Sequence, residues 1–91
     1  MKPLDDAEAL SVIKESITVI VPDADFARVE PDDRFRDVLE LDSLDFLSLV
    51  EQLHERTGVR IDEEDYPELT TLSGATRFLV GRSKASADPA T

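Results

Sequence analysis

Cysteine is absent from this 91-residue chain, so disulfides and thiolate chemistry are excluded, and any thiol its function needs must come from a cofactor. There is a single histidine, His54, eleven positions after Ser43. On a helix rising about 1.5 Å per residue the two stand roughly 16 Å apart, which rules out a Ser–His dyad on that element. His54 is read instead as a helix-surface or partner-contacting residue. One histidine, no cysteine and acidic stretches without the glycine-centred spacing of a calcium loop leave no expected metal site, and Asp23 and Asp25 read as turn residues. Gly58, Gly74 and Gly81 are the only glycines and stand alone, so no loop is built to cradle phosphate. Long apolar runs are missing too. The stretch from Ile17 to Val21, interrupted by Thr18, is too short to span a bilayer or form a signal-peptide core, and a cytoplasmic setting is expected. Basic residues are scarce, 10 against 21 acidic, for a formal charge of −11. Such a surface repels phosphate backbones and anionic lipid, which leaves basic proteins as the expected partners, not nucleic acid or membrane. The carboxylates fall on predicted turns and wet faces, no base, nucleophile and oxyanion donors can be assembled together, and no enzyme is expected.

What is present is enough for one small core. Apolar residues make up 41% of the chain, and the length supports one domain, taken as residues 1–82, followed by an expected disordered tail over 83–91, which holds no large apolar residue. A monomer is expected. Asp5 and Glu8 mark a helix start, and Ala7, Leu10, Ile13, Ile17 and Ile20 follow at steps of three and four, with Pro22 ending the helix near Val21. Residues 21–42 form a long connection. Phe26, Val29, Phe35, Val38, Leu39 and Leu41 within it should lie over the core, with a helical turn available from Asp33 to Leu39. The clearest periodic signal begins at Asp42–Ser43–Leu44, where Phe46, Leu49, Val50 and Leu53 fall on one face and Asp45, Ser48, Gln52 and Glu55 on the other, with Arg56 and Gly58 as stop signals. An acidic turn, a short helical turn at Tyr66–Leu69, and a last helix capped by Thr70 or Thr71 complete the pattern; that helix presents Leu72, Ala75, Phe78 and Leu79 and is expected to close at Gly81. The fold class is therefore all-α: a small three-to-four-helix bundle with a long loop between its first two helices. From Asp42 to Glu68 nine acidic residues face only Arg56 and Arg60, which places −7 of the net charge on one helix and the turn after it. Such concentration suits salt-sensitive docking of basic partners.

The segment Asp42–Ser43–Leu44–Asp45, at the head of an acidic amphipathic helix, resembles the acyl carrier proteins, and the order of elements from about Asp5 to Arg82 is similar to theirs. The resemblance implies that Ser43 is esterified by 4′-phosphopantetheine, whose thiol holds acyl groups as thioesters. It implies roles for Asp42 and Leu44 beside the arm, Asp42 in recognition by a phosphopantetheinyl transferase and in the helix start, Leu44 packed beneath the arm or against a partner. Asp45, Glu51 and Glu55 are the implied surface for acyl-processing enzymes with basic docking faces. It also implies an acyl cargo that the bundle can shelter, with Phe46, Leu49, Val50, Ile61, Leu72 and Phe78 as candidate linings and as plain core otherwise. A helix N-terminus suits a tethered phosphate, since its unpaired N–H groups and positive dipole end face outward. The sequence departs from the family where Glu40 and Leu41 precede the motif in place of small residues or glycine, and where Ser48 and His54 replace glutamates on the recognition side. The resemblance implies a pathway of fatty-acid synthesis or, given these departures, a specialised lipid or secondary one. The alternatives are an aminoacyl or polyketide carrier with the same chemistry, and an unmodified acidic helical adaptor for basic proteins.

Overall fold

Asp5 opens the first helix as its spacing predicts: its carboxylate accepts the Glu8 N–H at 2.7 Å, and α1 runs over Asp6–Ile20. The computed structural model describes residues 4–86, with side chains through Ser83. The buried face of α1 is Ala9, Ile13, Ser16 and Ile17, whereas Ala7 is exposed and Leu10 and Ile20 are half-buried at its edges. Counting back four from Ile13 gives Ala9, so the small residue lies under the neighbouring helices and the expected face is rotated away from Ala7. Ser16 is tolerated at 0% exposure because its hydroxyl donates to the Val12 carbonyl at 2.7 Å.

The connection that follows is structured. A 3-10 turn at Phe26–Arg28 is capped by Asp25, whose carboxylate accepts the Ala27 N–H at 3.1 Å. One helical turn, α2, occupies Phe35–Val38, within the stretch where a turn is expected. Phe35, Val29 and Leu41 are buried, Phe26 and Leu39 half-buried, while Val38 points outward. Phe35 and Leu39 turn toward the core, while Val38, at the edge of that face, is 40% exposed. The loop is tied to the chain before the last helix by the Phe35 N–H on the Thr70 carbonyl at 3.2 Å and the Ser73 N–H on the Pro31 carbonyl at 2.9 Å. Among the described residues the only bridge pairing is Arg34 with Thr71.

Helix α3, Ser43–Thr57, buries Phe46, Leu49, Val50 and Leu53 as its period predicts. Gly58 ends it in the left-handed region at φ 72°, donating its N–H to the His54 carbonyl at 2.8 Å. His54 has a structural duty at this end: its Nδ1 lies 2.9 Å from the Val59 carbonyl, which can only accept, so the proton sits on Nδ1. A 3-10 helix spans Glu63–Leu69, starting three residues before the expected Tyr66 turn. Asp65 within it is buried, accepts the Asp62 N–H at 3.0 Å and pairs with Arg82 at 2.9 Å, so its charge belongs to the fold and not to the acidic surface. Thr71 caps the last helix, accepting the Gly74 N–H at 2.9 Å. A Cβ on Gly74 would stand 2.7 Å from the Glu68 carbonyl oxygen, so only glycine allows the helix start to press this closely on the 3-10 segment.

The last helix, α4, runs over Leu72–Ser86 and passes through Gly81, which therefore does not close it. Ser83 explains the extension: it is buried, accepts the Leu4 N–H at 3.0 Å and donates to the Val80 carbonyl, so the helix is anchored beyond the glycine. The ordered chain thus reaches past the expected boundary at Arg82, and residues 87–91 of the expected tail lie outside the described residues. Space around Gly81 is open. Gly81→Ala should raise stability by about 0.5 to 1 kcal/mol, read as a higher melting midpoint, because alanine removes the backbone-entropy penalty of a helical glycine. α1 packs against both α3 and α4, α4 also against the 3-10 helix, and the core at their junction includes Ile13, Ile17, Leu49, Leu53, Leu69 and Leu79. Among the described residues the result is an all-α bundle of three long helices with short ones in the connections.

Candidate functional site

Leu41 is buried and its N–H donates to the Arg36 carbonyl at 2.9 Å, which pins the loop just before α3. The residue before it, Glu40, reaches that position only by adopting φ 55°, the left-handed region that glycine takes freely and other residues occupy at a cost of about 1 to 2 kcal/mol. The backbone turn that a glycine would make is thus kept without the glycine. From buried Leu41 the chain steps outward through Asp42 and Ser43, both exposed.

Asp42 is the N-cap of α3. Its Oδ1 accepts the Asp45 N–H at 2.8 Å, and the Asp45 carboxylate reaches back to the Asp42 N–H at 3.4 Å. This reciprocal cap is complete without Ser43, whose hydroxyl stands in the first turn, open to solvent, at the positive end of a fifteen-residue helix. Leu44 follows at 74% exposed, its side chain open to solvent. Leu47 is also exposed and lines the same opening as Ser43. Of the acidic residues expected to face partners, Glu51 and Glu55 are exposed, whereas Asp45 is half-buried and held in the cap. Arg56 reaches Glu15 across helices at 3.3 Å, removing one cation from the face that Glu55 shares.

The expected acyl linings divide by burial. Phe46, Leu49, Val50, Leu72 and Phe78 are buried within the core and Ile61 is half-buried against it. Phe46 meets Tyr66 edge to face, with ring centroids 5.2 Å apart, at the junction of α3 with the 3-10 helix. Outside that pair a cleft of about 560 Å³ opens beside Ser43, lined by Arg34, Arg36, Phe46, Leu47, Tyr66 and Pro67 among others. Sequence reasoning singled out neither arginine. The available signal was two cations within three residues just ahead of the motif, in a chain where acidic residues outnumber basic ones two to one. Among the described residues no cluster of side chains could hold a metal ion, and no helix is long and apolar enough to cross a membrane.

Ser43 is thus an exposed residue on a rigid helix start whose backbone cap is made by its neighbours Asp42 and Asp45. The family model described as the phosphopantetheine attachment site matches residues 10–79. An acyl carrier protein of Rubrobacter xylanophilus is 35% identical over 82 residues, covering 90% of this chain and 100% of the relative. One from Solidesulfovibrio magneticus is 34% identical over 70 residues, covering 74% of this chain and 90% of its own. Among solved structures, the solution structure of an acyl carrier protein from Anaplasma phagocytophilum superposes with a TM-score of 0.77 at 25% identity, over 91% of this chain and 97% of that one.

Proposed function

This chain belongs to the acyl carrier protein family, whose members carry phosphopantetheine and do not catalyse, and from that premise we propose that Ser43 is the attachment residue and that the protein presents acyl thioesters to successive enzymes. The observation that carries this reading is the exposed Ser43 hydroxyl in the first turn of α3, free of a cap that Asp42 and Asp45 make between them. The residues suit the group. The hydroxyl is open to a transferase, and the helix dipole favours the phosphodiester. Attached there, 4′-phosphopantetheine supplies the thiol on which an acyl group is held. Asp42 fixes the helix start and so the direction in which the Ser43 oxygen leaves the surface. Leu44, being exposed, offers an apolar contact to whichever enzyme approaches Ser43, and Glu51 and Glu55 offer charge to its basic residues.

The pathway we propose is a specialised lipid or secondary one beside fatty-acid synthesis, because Ser48 and His54 stand on α3 where fatty-acid carriers place glutamates, and His54 is committed to the Val59 carbonyl. Incubating the apo protein with coenzyme A and a phosphopantetheinyl transferase should add one phosphopantetheine by intact mass, mapped to Ser43. An unchanged mass would leave the acidic adaptor as the better account. The charge on α3 has a separate test. Replacing Glu51 and Glu55 together by lysine should slow association with the transferase by about tenfold or more at low salt and flatten its dependence on ionic strength. A rate indifferent to both substitutions would remove these two residues from the docking face.

A further inference from the structure

We propose that Arg34 and Arg36 form an anion-receiving clamp at the mouth of the cleft beside Ser43, taking the phosphodiester of the attached arm or a carboxylate on its cargo. This rests on the attachment reading and assigns residues to it that lie outside the Asp42–Asp45 motif. Both arginines line the cleft that Ser43 lines, and the adjoining hollow toward Leu41 and Thr70 is lined by the same two. Neither is engaged in an ion pair among the described residues, whereas Arg56, Arg60 and Arg82 are. Arg36 is half-buried and its guanidinium lies 4.6 Å from the centroid of the Phe46 ring, a stacking that fixes the group while its N–H edges stay available. Arg34 is mounted on backbone pinned to Thr71 by the bridge pairing and to Thr70 by the neighbouring Phe35 N–H. Planar guanidinium groups held this way suit the oxygens of phosphate or carboxylate.

The surroundings supply the need. Asp42 and Asp45 cap the helix at Ser43, and Asp37 lines the adjoining hollow, so an anion tethered to Ser43 enters a field of its own sign unless cations stand close. The cleft that the pair borders is lined on its other side by Phe46, Leu47, Tyr66 and Pro67, a largely apolar backing on which the stem of an attached arm could lie.

The test uses the full chain labelled with 15N and observed by NMR as apo protein, as loaded protein, and loaded with an acetyl or a malonyl group. If the clamp takes the arm's phosphodiester, the Arg34 and Arg36 Nε–H resonances shift on loading alone. The 31P resonance of the loaded protein then differs from that of the Arg34→Gln/Arg36→Gln variant, which moves to the position of the free diester in coenzyme A. If the clamp takes a cargo carboxylate, the Nε–H resonances shift with malonyl and not with acetyl. Unmoved arginine resonances in all loaded forms would overturn the proposal, as would a variant that folds by circular dichroism yet is no longer loaded, which would place the arginines at the transferase step. Failure of the attachment reading looks different: the wild-type mass does not change at all, and the clamp then falls with it.

Discussion

Ser43→Ala should leave a protein that folds like the parent and that coenzyme A with a phosphopantetheinyl transferase cannot load to any measurable extent. The expectation is complete loss, because the substitution removes the one oxygen to which the group would be bonded. It is also clean. The α3 cap is made by Asp42 and Asp45, so no capping hydrogen bond goes with the hydroxyl, and alanine in an exposed first turn should change stability by no more than about 0.5 kcal/mol. Intact mass before and after incubation, read beside the melting midpoint, separates loss of the site from loss of the fold. Addition of a phosphopantetheine to the alanine variant would transfer the attachment to another residue.

Phe35→Ala should have the largest effect on stability. The ring is 0% exposed although it belongs to a one-turn helix in a connection, and its backbone N–H ties that connection to Thr70. Removing a buried phenyl group costs about 3 to 5 kcal/mol, and in a domain of this size each kilocalorie lowers the melting midpoint by about 4 to 8 °C. A fall of roughly 12 to 40 °C is expected, against a total stability of about 5 to 15 kcal/mol. Thermal unfolding followed by circular dichroism would show it. A midpoint within a few degrees of the parent would mean that the loop lies on the core without being part of it.

Why these two residues could be picked from the sequence, and others could not, follows from what a linear pattern records. α3 was legible from cap to stop because Asp42, the apolar positions Phe46, Leu49, Val50 and Leu53, and Gly58 report the same helix independently. The face of α1 was legible only in part. Periodicity located Ile13 and Ile17, but Ala9 and Ser16 are as buried as the isoleucines, and their burial depends on how closely other helices approach, which small and hydroxylated residues do not announce. Gly81 carries the usual mark of a helix end, yet anchoring of Ser83 to Leu4, 79 positions away, overrides it. The cleft left little more than the Arg34 and Arg36 pair as a signal: Arg34 and Tyr66 are far apart in the chain, and only the pairing of the loop with the start of α4 brings them to one opening.

Glu40 gives the region ahead of Ser43 a shape in which the backbone follows the course glycine would take while a long, charged side chain projects from it. A protein surface moulded to a bare backbone at that spot would meet both extra volume and a carboxylate that must shed its hydration. A partner surface fitted to glycine at that spot would be disfavoured, whereas one offering a recess or a cation would accept the Glu40 side chain.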